Sequence, residues 1–131
     1  MFMEAKDPEN RPADLPAGHV DEIDPMTAQP RWRLPLQDFA HWGAMLATGG
    51  GLLFTGKMTG EFVAIDADSG KVLWQFKTSS GVNAQPITWT LNGKQYVTVL
   101  SGLGGLGEIV NRQKLGNVPQ GGSVWTFALL D

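Results

Sequence analysis

A hairpin pattern that occurs twice, 42 residues apart, is the feature of this 131-residue chain that most restricts its fold. The segments VDEIDPMTAQPRWRL (20–34) and FVAIDADSGKVLWQF (62–76) both read as strand, tight turn and strand. Each has a Trp eight residues after an Asp, so that Trp32 corresponds to Trp74. Turn-forming Asp, Ser, Thr and Gly between β-type runs predict hairpins.

A second hairpin follows each of these two segments. AMLAT and LLFTG, separated by three glycines, follow Trp32, while ITWTL and QYVTVLS flank Asn92-Gly93 after Trp74. Four strands in about 40 residues are typical of β-propeller blades. We therefore predict an all-β fold with about two four-stranded blades at 18–131, preceded by an irregular, proline-rich arm at 1–17. Each Trp should pack between neighbouring blades, and the Asp and Ser/Thr side chains should bond turn backbone.

The remaining C-terminal segments are less regular. EIVNRQKLG (108–116) is compatible with a single turn or a loop, and no segment predicts a convincing amphipathic helix. SVWTFALL (123–130) predicts a last strand. Two blades cannot close a propeller ring, and open blades expose apolar faces and strand edges. The chain should therefore oligomerise or form a piece of something longer.

Composition excludes several classes of function. The net charge is −3 and the Lys and Arg residues are scattered, so no nucleic-acid partner is expected. The chain has no Cys, which excludes a disulfide and a zinc–thiolate site. No apolar run reaches the roughly 18 residues of a membrane span, and the N-terminus lacks the apolar core of a signal peptide.

Several residues resemble sites but have simpler explanations. His19 and His41 lack a sequence-evident carboxylate partner and are expected to be surface or loop residues rather than bases. Asp66 and Asp68 are better explained by turn hydrogen bonding than by metal binding. GLGGLG (102–107) mimics a dinucleotide loop, but no helix with an acidic partner is predicted after it, so this fingerprint is rejected.

The order of these motifs resembles the C-terminal end of the quinoprotein alcohol dehydrogenases, the methanol/ethanol group that uses pyrroloquinoline quinone (PQQ). The most specific feature is the segment HWGAMLATGGGLLFTG followed at this distance by QYVTVLSGLGG, and the ending QGGSVWTFALLD also matches. The resemblance covers 18–131 and implies an eight-bladed propeller, with PQQ and a calcium or lanthanide ion near its axis. It further implies a periplasmic enzyme that oxidises primary alcohols and passes electrons to cytochrome c.

The resemblance assigns cofactor contacts to three residues of this chain. Trp42, in HWGA, occupies the place of the Trp in the family's WGG segment, and Leu106, with Gly105 before it, follows the SGLGG turn. Many relatives have an aromatic residue where this chain has Leu103. The family's metal ligands, catalytic Asp, vicinal disulfide and stacking Trp lie upstream of the matched part, so no catalytic or metal-binding residue is assigned here.

We therefore expect the chain alone to be inactive, and in such propellers the last strand, SVWTFALL, would have lost its partner. The alternative is a non-catalytic β module that self-associates through its exposed faces or completes another chain. A carbohydrate- or peptide-binding propeller piece has no support from individual residues.

Overall fold

The computed structural model describes residues 15–37 and 43–129. These residues form nine strands and one helix. Their bounds are β1 Gly18–Ile23, β2 Pro30–Leu36, β3 Leu46–Ala47, β4 Leu52–Gly56, β5 Glu61–Asp66, β6 Val72–Lys77, β7 Ile87–Leu91, β8 Lys94–Gly102, α1 Gly105–Leu115 and β9 Gly122–Ala128. Within this described part of the chain, no helix is long and apolar enough to cross a membrane.

The chain divides into two compact units, 1–41 and 42–131. The first contains the antiparallel sheet β1-β2, and the second contains the antiparallel sheets β3-β4-β5-β6 and β7-β8-β9. The predicted β-sheet fold is therefore confirmed in small antiparallel sheets, but of the two four-stranded blades that were expected, the described residues show one four-stranded sheet, β3-β4-β5-β6, beside sheets of two and three strands. The predicted boundary between an arm at 1–17 and a propeller portion at 18–131 stays a prediction, although β1 begins at Gly18.

The two Asp–Trp hairpins share the same backbone hydrogen bonds at the 42-residue offset. The carbonyl of Asp24 accepts the N–H of Ala28 at 2.8 Å, and the carbonyl of Asp66 accepts the N–H of Gly70 at 2.9 Å. Ala28 and Gly70 both have positive φ angles, of 56° and 70°. A left-handed residue thus closes both turns, and one repeat uses a non-glycine residue there.

The predicted side-chain bonding of the turns is confirmed in both hairpins. Asp24 Oδ1 accepts the N–H of Met26 at 2.8 Å. Asp66 Oδ1 accepts the N–H of Ser69 at 2.8 Å and its hydroxyl at 2.5 Å. The hydrogen bonds from Ser69 hold the pKa of Asp66 below its usual value. These carboxylates stabilise the turns.

Aromatic side chains join the two sheets of the larger unit. The distance between ring centroids is 5.1 Å for Trp74 of β6 and Phe127 of β9, and 4.9 Å for Phe76 and Trp125. Phe62, which is fully buried, also contacts Phe127 at 5.6 Å. Packing of Trp74 between sheets is therefore confirmed. Trp32 is half-buried, and its packing role stays a prediction.

The segment predicted as a single turn or loop is instead the C-terminal part of the 11-residue helix α1. The sequence concealed this helix because Gly105 and Gly107 in its first turn disfavour helix formation. Leu115, buried to 6% exposure, anchors its C-terminal end. Gly116 follows with a φ of 47°, and its N–H bonds the carbonyl of Arg112.

The expectation that the last strand has lost its partner is also wrong. β9 pairs antiparallel with β8 through seven residue pairs, from Tyr96 opposite Ala128 to Gly102 opposite Gly122. The chain leaves the end of β8, forms α1, and then returns as β9 to pair with the edge of β8. Turn signals that predict hairpins between adjacent strands could not reveal this pairing, because 19 residues separate the two strands.

Candidate functional site

The loops at one end of the larger unit contain two of the three predicted cofactor contacts. We call this end the loop end and define it as residues 57–60, 78–86 and 103–121, where β4, β6 and β8 finish and β5, β7 and β9 begin. Gly105 and Leu106 are the first two residues of α1 and lie here. Trp42 lies outside the described residues, four positions before β3 begins.

A buried network of hydroxyl groups fixes the loop between β6 and β7. Thr78 Oγ1 donates a hydrogen bond to the Gly60 carbonyl oxygen at 2.8 Å and lies 2.7 Å from the Ser80 carbonyl oxygen. Ser101 Oγ lies 2.8 Å from Thr78 Oγ1 and accepts the N–H of Ser80 at 3.1 Å. The exposed fractions of these three hydroxyl residues are 5% or less. A satisfied network of this kind holds a loop in one conformation.

Two glycines of the loop end allow backbone segments to approach each other closely. A Cβ on Gly81 would lie 2.3 Å from Leu103 Cδ2 and 2.5 Å from the Met58 carbonyl oxygen. The Gly81 carbonyl accepts the N–H of Gly102 at 2.8 Å. Leu103 is therefore held against the loop 78–86.

The start of α1 presents open glycine backbone. Gly105 has a φ of 71°, and a Cβ built on Gly104 or Gly105 would meet nothing within 4 Å. The N-cap residue, Gly104, makes no side-chain capping hydrogen bond. The first N–H groups of a helix have no partner within the helix and favour acceptor-rich groups. This arrangement is compatible with a ligand that approaches the backbone at Gly105.

Lys77, the last residue of β6, and Glu61, the first residue of β5, border the loop end and form an ion pair. Lys77 Nζ lies 2.9 Å from Glu61 Oε1 and also donates to the Thr59 carbonyl. Burial raises the pKa of Glu61, but hydrogen bonds from Thr59 and Lys77 outweigh it and leave the pKa below its usual value. Across residues 15–37 and 43–129, no three acidic or His side chains form a group that could hold a metal ion.

Of the two histidines, only His19 lies within the described residues. His41 lies outside the described residues. His19, in the smaller unit, does have a carboxylate neighbour, since its Nε2 lies 3.3 Å from Asp21 Oδ2. Arg33, however, binds both carboxylate oxygens of Asp21, at 2.9 and 2.7 Å. These bonds lower the pKa of Asp21, so this carboxylate is part of a cross-strand ion pair.

Sequence reasoning missed the hydroxyl network. Thr78, Ser80 and Ser101 belong to different segments, and no local motif distinguishes them from ordinary turn residues. The only available signal was their position beside glycines at strand ends, in TSSG and LSGLGG.

Comparison with known proteins identifies relatives of the chain. Residues 11–97 match the family described as PQQ, the glucose/ethanol/alcohol dehydrogenase β-propeller domain. Quinoprotein alcohol dehydrogenase PedH of Pseudomonas putida is 42% identical over 121 residues, which cover 86% of this chain and 19% of that protein. Methanol dehydrogenase [cytochrome c] subunit 1 of Methylobacterium organophilum is 36% identical over 129 residues, which cover 86% of this chain and 20% of that protein.

Solved structures agree with these sequence matches. A europium-containing methanol dehydrogenase superposes with a TM-score of 0.72 and 34% identity over 82% of this chain and 22% of that chain. The chain thus spans about a fifth of the length of the relatives it matches.

Proposed function

The chain belongs to the glucose/ethanol/alcohol dehydrogenase β-propeller family, and from this premise we propose that it is the C-terminal propeller portion of a PQQ-dependent alcohol dehydrogenase. The complete enzyme oxidises primary alcohols, passes electrons to cytochrome c and resides in the periplasm. The observation that carries the proposal is the 42% identity to a quinoprotein alcohol dehydrogenase across 86% of the chain.

In this proposal the chain contributes one rim of the cofactor site, formed by Trp42, Gly105 and Leu106. PQQ, when bound, accepts the hydride from the alcohol. Its carboxylate and carbonyl oxygens are acceptors, and they suit the uncapped N–H groups and open space at Gly104 and Gly105. Leu103, packed against Gly81, holds the turn that precedes this rim.

The catalytic chemistry itself depends on groups that the resemblance places upstream of the matched part. We propose that the calcium or lanthanide ligands and the Asp base belong to that part of the complete enzyme. The paired charges of Lys77 and Glu61 offer no substitute general base, because both are already bonded to each other. This chain by itself should therefore not turn over alcohols.

The alternative is a non-catalytic β module that self-associates or completes a partner chain. It is favoured by one face of the β7-β8-β9 sheet, which carries exposed apolar residues: Ile87, Trp89, Leu91, Leu100 and Val124. In the described residues β9 is also an edge strand, whereas the preceding sheet has four strands. Unpaired edges and apolar faces promote association.

A chimera tests the main proposal. The segment of the P. putida relative that matches this chain is replaced by this chain, and the parent enzyme serves as the control. Bound PQQ is measured by absorbance, and activity by alcohol-dependent reduction of a dye. We expect PQQ to be retained with measurable turnover. A folded chimera that binds no PQQ would contradict the proposed rim.

Light scattering of the isolated chain separates the alternative. The mass is measured with and without PQQ and calcium. A defined oligomer that forms without cofactor supports a self-associating module. A monomer counts against self-association and leaves the enzyme portion as the better description.

A further inference from the structure

One hydroxyl group contacts both stems of the segment that contains α1. We call residues 103–119 the α1 excursion, because this segment leaves the end of β8 and returns before β9. Ser80 Oγ accepts the N–H of Leu103 at 3.2 Å and donates to the carbonyl of Pro119. Ser80 is buried, with 1% of its surface exposed. A single side chain therefore joins the departing and the returning stem.

Ser80 is itself held firmly in place. Its N–H donates to Ser101 Oγ at 3.1 Å, and its carbonyl lies 2.7 Å from Thr78 Oγ1 and 3.0 Å from Ser101 Oγ. Ser101 belongs to β8, so this network ties Ser80 to the sheet. The hydroxyl of Ser80 is thus fixed relative to the strands when it bonds the two stems.

We propose that Ser80 is a positioning residue, which fixes the α1 excursion and with it Gly105 and Leu106. The excursion begins with glycines that lack intrinsic helix preference, so its position depends on contacts at its stems. The loss of this hydroxyl leaves the Leu103 N–H and the Pro119 carbonyl without their partner. The consequence for cofactor binding rests on the proposed function, whereas the placement of the excursion does not.

Hydrogen–deuterium exchange of the full chain tests the placement. Ser80→Ala is compared with Ser79→Ala, a matched control whose exposed hydroxyl bonds Ser123 Oγ at 2.8 Å. We expect amide exchange in 103–119 to become about tenfold faster in Ser80→Ala only, with β5 unchanged.

Three results would overturn the proposal. The first is unchanged exchange in 103–119 for Ser80→Ala. The second is an equal increase in β5, which would indicate general destabilisation. The third is an equal increase for Ser79→Ala, which would show that the effect does not depend on the Ser80 hydroxyl.

A second arm connects the placement to the cofactor. In the chimera with the P. putida relative, Ser80→Ala should raise the Kd for PQQ about tenfold, while Ser79→Ala leaves it unchanged. An unchanged Kd in Ser80→Ala would overturn the link between Ser80 and the rim. A chimera that binds no PQQ even with Ser80 in place would refute the proposed function, and the exchange experiment would still decide the placement.

Discussion

Replacement of Phe127 tests the packing between the two sheets of the larger unit. Its ring lies 5.6 Å from Phe62, 5.1 Å from Trp74 and 5.1 Å from Phe76, measured between centroids. Each such pair contributes about 0.5–1.5 kcal/mol beyond the burial of apolar area. The Phe127→Leu variant keeps most of the apolar volume but loses all three ring pairs. Because pair energies are not additive, we expect a loss of about 2 kcal/mol in the free energy of unfolding.

Urea unfolding followed by tryptophan fluorescence measures this loss, since Trp74 and Trp125 both lie at the sheet–sheet contact. The matched control is Val124→Ala on the same strand, where the side chain is 67% exposed. That variant should stay within about 0.5 kcal/mol of the parent chain. A Phe127→Leu variant as stable as the parent, or no more destabilised than Val124→Ala, would show that these ring contacts do not stabilise the unit.

Two further predictions concern the core and the turn of the larger unit. A Cβ on Gly56 would lie 2.1 Å from Val82 Cγ1, whereas a Cβ on Gly50 would meet nothing within 4 Å. Gly56→Ala should therefore lower the free energy of unfolding by about 3 kcal/mol, and Gly50→Ala should lower it by much less. Equal urea midpoints for the two variants would contradict this expectation. Asp66 has a lowered pKa because Ser69 donates to it, so its contribution to stability is present above the unfolded-state pKa, about 4, and is lost as the pH falls through the folded-state pKa. The advantage of the parent chain over Asp66→Asn in urea unfolding should shrink from pH 7 to pH 3, and a constant difference would count against the linkage.

The hairpins could be predicted because their determinants lie within a few residues. The Asp at each turn bonds backbone N–H groups two or three positions away, as Asp24 does to Met26 and Asp66 to Ser69. The Asn92-Gly93 turn likewise has φ angles of 50° and 76°, which that dipeptide favours. Residue type alone therefore specified these turns.

The candidate site was less predictable. The resemblance assigned cofactor contacts to Gly105 and Leu106, which stays a prediction, and it did not show that these residues begin a helix. The end of the helix is buried at Leu115, and Ser80 bonds both stems of the helical segment, which joins residues 23 and 39 positions apart. Contacts of that range are decided only when the chain is folded, so no local pattern could reveal them.

The repeated hairpins, the β-propeller character and the family of this chain could all be recognised from local sequence patterns. Short-range turn chemistry and the alternation of apolar residues contain that information. Three features could be seen only in the folded chain: β9 pairs with β8 across the α1 excursion, Trp74 contacts Phe127 between two sheets, and Ser80 bonds both stems of the α1 excursion. These features arise from packing and hydrogen bonds between segments distant in sequence, whose geometry is set by the fold as a whole.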